Sequence, residues 1–172
     1  MLHKPKYIRK MPLKKRLDRT FERIIALLQK NARLSNKELA AHVGLAPSSC
    51  LERVRSLQEA GVFKGFHADV DPQALGIDLQ AVIAIRLNRH SRDSLEDFKA
   101  YVKALPEVHA VYHMAGVNDF LLHVAVRDSN HLLDLNLNHF STRPEVAHVE
   151  TALIFEYHRN PVLPSYLDFP FS

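Results

Sequence analysis

The sequence predicts an α+β chain: a small helical unit followed by a β-α-β-β-α-β domain. Three observations predict it. The stretch Ser35 to Ala60 reads as two short helices joined by a tight glycine turn. The region beyond residue 79 alternates β-branched apolar runs with helical periodicity. The charge divides along the same line: residues 1–16 hold seven basic and no acidic residues, residues 17–65 eight basic against five acidic, and residues 66–172 eight basic against fourteen acidic.

Asp18 to Lys30 forms the first helix, with Phe21, Ile24, Ile25 and Leu28 as its apolar stripe. Ala32-Arg33-Leu34 leads to Ser35, whose hydroxyl suits an N-cap, and Glu38 completes a capping-box spacing. Leu39, Ala40 and Val43 are the buried positions of this second helix, and Gly44 stops it. Leu45 plugs the turn. Pro47 falls in the first turn of the third helix, where its missing N–H costs nothing. Cys50 or Leu51, with Val54 and Leu57, faces inward, and Gly61 closes the helix. Val62 to Ala68 reads as a short strand or small wing. Asp71 to Gly76 is a turn and the candidate hinge.

The remainder has a different rhythm. Leu79–Leu87 is a strand rich in β-branched residues. Ser91 caps a helix over Arg92–Ala104, which Pro106 ends. Val108–Met114 and Phe120–Val126 are the second and third strands. A helix starting at Ser129 or Asn130 carries Leu132, Leu133, Leu135, Leu137 and Phe140 before Thr142-Arg143-Pro144 breaks it. Val146–Tyr157 is the fourth strand. This order is the split βαβ arrangement of ferredoxin-like folds. Helices cover one sheet face, and the expected large apolar residues on the other call for a second copy of the chain. The domain boundaries follow: a basic tail 1–16, a helix-turn-helix unit 17–65, a linker 66–78, a ferredoxin-like domain 79–158 and an extension 159–172. The extension has no helical signal; it either lies across a neighbouring subunit or is a loose end.

The three-helix unit has the layout of a winged helix-turn-helix, in which the last helix enters the major groove of double-stranded DNA. The candidate DNA-binding residues are Ser35, Asn36, Pro47, Ser48, Ser49, Glu52, Arg53, Arg55 and Ser56. Small hydroxyl residues at the start of the helix let its backbone approach base edges, and Arg53 and Arg55 can reach guanine or phosphate. The competing reading is a plain helical hairpin with a solvated polar face. A basic first third on an acidic body favours a polyanion-binding module. The tail of residues 1–16, with Pro5 and Pro12, reads as disordered, its basic residues either adding phosphate contacts or forming a solubilising segment.

Composition excludes several classes. No apolar run reaches the ~18–20 residues of a membrane span, and no apolar segment follows the basic start as in a secretory signal. One cysteine excludes an intrachain disulfide framework and fits a cytoplasmic protein; Cys50 reads as a small core residue. Eleven histidines supply no zinc pattern: His109 and His113 lie four apart on a strand, roughly 13 Å along one face. Interface histidines would make assembly pH-sensitive. No metal or cofactor is expected. Gly-rich phosphate loops, hydrolytic carboxylate pairs and a Ser-His-Asp candidate are lacking, so no enzyme is expected.

Residues 17–158 resemble the leucine-responsive and asparagine-responsive (Lrp/AsnC) regulators of bacteria and archaea. The resemblance is most specific over LAPSSCLERVRSLQEAGVFKGFHADVDPQALG, residues 45–76. The family's C-x-x-R-V-x-x-L and glycine exit fall on Cys50, Arg53, Val54, Leu57 and Gly61-Val62-Phe63. Its G-x-aromatic-D-aromatic turn reads here Gly116-Val117-Asn118-Asp119-Phe120, with Asn118 in place of the aromatic residue. The resemblance implies transcription regulators that pair through the ferredoxin-like domains, often as octamers, and bind an amino acid between those domains. The expected effector site is the turn His113, Met114, Ala115, Gly116, Val117, Asn118 and Asp119, with Thr151 beside it. Backbone N–H groups would hold the carboxylate, and Asp119 would accept from the α-ammonium or else cap its own turn. His113 and Met114 either line the pocket or are plain strand residues. An effector-free regulator is the alternative.

Overall fold

The computed structural model describes residues 18–88 and 92–166, in two compact units: residues up to Ala68 together with the segment from Arg159, and Asp69–His158. The basic tail, the Ser91 cap and the end of the C-terminal extension lie outside the described residues.

In the first unit, α1 (Arg19–Lys30), α2 (Asn36–Val43) and α3 (Pro47–Glu59) enclose one core. The Asp18 carboxylate accepts the Phe21 N–H and starts α1. Ser35 and Glu38 form the full capping box at α2: the Ser35 hydroxyl accepts the Glu38 N–H, and the Glu38 carboxylate accepts the Ser35 N–H at 2.8 Å. The Ser35 hydroxyl, which also donates to the Glu38 carboxylate at 2.7 Å, and after it the Ser35 N–H hold the Glu38 carboxyl below the usual range. Gly44 stands at φ 70° and ends α2, a left-handed conformation that side-chain-bearing residues adopt only at a cost. Phe21, Ile24, Leu28, Leu39, Ala40, Val43, Cys50 and Leu57 form the buried centre. Cys50, not Leu51, is the inward residue: Cys50 is fully buried and Leu51 exposed. Burial pushes the Cys50 thiol up. The wing strand expected over Val62–Ala68 does not form among the described residues. Val62 donates to the Leu57 carbonyl and packs with Phe63 on the core, so this segment finishes α3 and finds no ladder partner. The segment after Arg159 returns to α1, where the Leu163 N–H donates to the Gln29 side chain at 2.9 Å.

The second unit carries strands β1 (Leu79–Leu87), β2 (Val108–His113), β3 (Phe120–Val126) and β4 (Val146–Leu153), with helices α4 (Arg92–Ala104) and α5 (Ser129–Leu135). The strand order is β2-β3-β1-β4, with antiparallel pairings throughout. Alternate residues of β1 (Ala81, Ile83, Ile85, Leu87) and β3 (Phe120, Leu122, Val124, Val126) face Phe98 and Val102 of α4 and Leu132 and Leu135 of α5. α5 starts on Asp128, whose carboxylate accepts the His131 N–H, and passes into a π-helical turn, Asn136–Ser141, that buries Phe140. Leu133 and Leu137, expected inside, are exposed, because the inward stripe runs Leu132, Leu135 and Phe140. β4 ends at Leu153 rather than Tyr157, the point where its pairing with β1 runs out.

The uncovered sheet face differs from expectation. β3 places Leu121, His123 and Ala125 there, and β4 presents the exposed His148, Glu150 and Ala152, so the face is mixed rather than broadly apolar. A bulge at Val108/Ala110 also separates the two histidines expected on one face. His109 meets the His123 ring at 5.3 Å, whereas His113 stacks on core Phe120 at 5.0 Å.

Candidate functional site

The first candidate surface is the outer side of α3. Ala46 precedes the helix without a side-chain cap, and Pro47 occupies the first turn. Pro47, Ser48, Ser49, Glu52 and Arg55 are exposed. Ser48, Glu52 and Arg55 stand at i, i+4 and i+7, one stripe of the helix. The Ser56 hydroxyl donates to the Glu52 carbonyl at 2.9 Å and is half-buried on the flank.

Three further expected DNA-binding residues are engaged within the unit. Ser35 is the cap of α2. Asn36 donates its side-chain N–H to the Pro47 carbonyl at 2.8 Å, tying the first turn of α2 to that of α3. Its other amide atom, Oδ1, is buried with no partner among the described residues. Arg53 lies back on α1: its Nη1 is 2.8 Å from the Asp18 carboxylate and its guanidinium 4.7 Å from the Phe21 ring centre. Burial alone would push Asp18 up, yet the Phe21 N–H and Arg53 outweigh it and hold the carboxyl below its usual range. The position of Arg53 was available from spacing. It follows Cys50 by three residues and precedes Leu57 by four, which puts it on the inward seam. Its partner Asp18, 35 residues upstream, had no local signal.

The second candidate surface is the β2–β3 turn. Met114 donates to the Asp119 carbonyl at 2.8 Å, and the Asp119 N–H donates to the Ile85 carbonyl at 2.9 Å. These bonds close the loop. Inside it, the N–H groups of Ala115, Gly116, Val117 and Asn118 meet no backbone carbonyl among the described residues. Gly116 has φ 155°. His113, Met114, Ala115, Gly116 and Val117 are exposed, and Asn118 is half-buried. The Asp119 carboxylate is committed differently from either expectation: it accepts the Leu87 N–H of β1 at 2.8 Å and so fastens the turn to the central strand. Thr151 does not join this group. It pairs with Ile83 on the far side of β1, and its hydroxyl exchanges hydrogen bonds with the Asn136 side chain. No group of three or more His, Cys, Asp or Glu side chains is placed to hold a metal among the described residues.

A capped two-helix motif with an exposed polar recognition helix, joined to an antiparallel α+β domain, defines a DNA-binding regulator of transcription. The winged helix-turn-helix DNA-binding family matches residues 17–64, and the Lrp/AsnC ligand binding domain matches residues 80–161. The chain is 43% identical over 143 residues to the HTH-type transcriptional regulator AldR of Mycolicibacterium smegmatis, covering 83% of this chain and 84% of that one. It is 41% identical over 114 residues to the leucine-responsive regulatory protein of Salmonella typhimurium, covering 66% and 70%. Among solved structures, a transcriptional regulator of Neisseria meningitidis in complex with L-Met superposes with a TM-score of 0.81 at 32% identity, over 87% of this chain and 97% of that one. Escherichia coli AsnC superposes at 0.73 with 28% identity, over 88% and 98%. The chain belongs to the Lrp/AsnC family of transcription regulators.

Proposed function

We propose that this regulator reads DNA with the outer stripe of α3 and responds to an amino acid held at the Met114–Asp119 turn. The observation that carries the first half is the exposure of Ser48, Ser49, Glu52 and Arg55 along the outer side of α3, whose start lacks a side-chain cap. Unpaired N–H groups and the helix dipole there attract phosphate, while Arg55 is long enough to reach a base edge or the backbone. Two copies, paired through the sheet face that carries Val82, Tyr112 and Leu121, present two such helices to the half-sites of one palindrome. Many dimers together would wrap or bend DNA, which suits flexible, A·T-rich sequence. The regulator acts where its DNA is, in the cytoplasm; no helix among the described residues is long and apolar enough to cross a membrane.

The second half rests on the exposed turn itself: the N–H groups of residues 115–118 meet no backbone carbonyl among the described residues and are therefore candidates to hold a carboxylate. The L-Met bound to the Neisseria relative supports an amino acid as the ligand class. Asp119 serves this site by fastening it to β1. A thermal-shift screen against the twenty amino acids, run beside Gly116→Val, tests this half. Stabilisation by one or a few amino acids that the variant abolishes is the expected result. No shift with any of them favours a regulator that works without an effector.

A further inference from the structure

We propose that Arg53 is a positioning residue rather than a DNA contact: bridged to Asp18 and laid on Phe21, it sets where the recognition helix stands. The inference rests on the reading of α3 as the helix that meets DNA. Asp18 divides its carboxylate between two tasks. One oxygen accepts the Phe21 N–H at 2.9 Å and caps α1; the other holds Arg53 Nη1 at 2.8 Å. The Arg53 guanidinium also covers the face of Phe21, a residue buried in the core of the unit. One guanidinium therefore joins the middle of α3 to both the cap and the core of α1. At 100° per residue, Arg53 and Arg55 point about 160° apart, so the face that presents Arg55 to a groove turns Arg53 away from it. Arg55 is exposed and Arg53 half-buried. A second tie, Asn36 to the Pro47 carbonyl, fixes the other end of the same helix. Two anchors on one rigid rod determine its angle, and base readout requires that angle to be held closely.

The pair itself is partly open to solvent, with side chains 29% and 47% exposed, so its loss weakens folding little. Its signature is lost discrimination rather than lost structure. The test uses the full chain and duplexes that the wild type selects from a random-sequence library, with mixed-sequence genomic duplex as the non-specific reference. Binding is measured by fluorescence anisotropy across a salt series for Asp18→Asn, Arg53→Met, the double variant and Arg55→Ala. Asp18→Asn retains an oxygen to cap α1, so the fold survives and this variant is decisive even if Arg53→Met unfolds. Positioning predicts that Asp18→Asn and Arg53→Met each lower the specific-to-non-specific ratio about tenfold. It also predicts that the double variant loses no more than either single one, and that the salt slope is unchanged. The proposal is overturned if Asp18→Asn keeps or raises the ratio, because a DNA-contacting Arg53 would then only have been released. It is equally overturned if Arg53→Met flattens the salt slope by about one, the mark of a lost phosphate contact. An Arg55→Ala variant that binds like the wild type would instead remove the recognition-helix reading, and this inference with it.

Discussion

Single side chains here divide between holding the fold and meeting a partner, and the division is set by what each polar group already touches. Ser35 is a cap first. Its replacement by alanine removes the acceptor for the Glu38 N–H and is expected to lower stability by about 1 kcal/mol in chemical denaturation. His123 offers a second test. It is buried at 4% exposure, with its Nε2 2.8 Å from the Gln80 side-chain oxygen and the rings of His109 and Tyr157 against it. Burial, aided by charge on His109, holds its pKa below the usual 6.5. The folded state then favours the neutral ring, while the unfolded chain takes the proton more readily. This contribution to stability is fully present above pH 6.5 and is lost as the pH falls from there toward the depressed folded value. Urea midpoints at pH 7.5 and 5.5 are expected to differ more for the wild type than for His123→Gln; equal differences would contradict the assignment.

At the scale of elements, most of the fold was legible in short-range pattern. The Ser35–Glu38 spacing, Gly44 and Pro47 mark α2 and α3 because caps and turns are local chemistry. The apolar runs Leu79–Leu87 and Phe120–Val126 mark two strands, but a run apolar on both faces does not tell which alternate residues meet the helices. Gly44→Ala is expected to cost about 1 kcal/mol, since φ 70° strains any side-chain-bearing residue although nothing crowds the position. Phe120→Ala, emptying a fully buried site beside Phe98, is expected to cost about 3–5 kcal/mol. What pattern did not reveal was long-range. Nothing near Asp119 announces that its carboxylate would be taken by the Leu87 N–H, 32 residues away. The bulge that turns His109 onto His123 depends on pairing register, and the Thr151–Asn136 contact on how the π-helical turn Asn136–Ser141 lies against β4. The candidate sites suffered most for this reason: residue types at the right spacing identified the surfaces, whereas tertiary bonds decided which of those residues remain available.

For the whole molecule, the proposed reading pairs two copies, one α3 to each half-site, through the mixed sheet face that offers Val82, Tyr112 and Leu121 among polar neighbours. Placing a charge in its middle with Leu121→Glu is expected to shift the protein toward monomers in light scattering and to weaken binding to a two-half-site duplex more than to a single half-site. In the proposed reading, the outer stripe of α3 carries the sequence information. Selection from a random duplex library, sequenced for the wild type and Arg55→Ala in parallel, tests it most directly. A symmetric motif is expected for the wild type, with the variant losing preference at one position of each half-site and keeping the rest. Identical motifs from the two proteins, or no motif from the wild type, would contradict it.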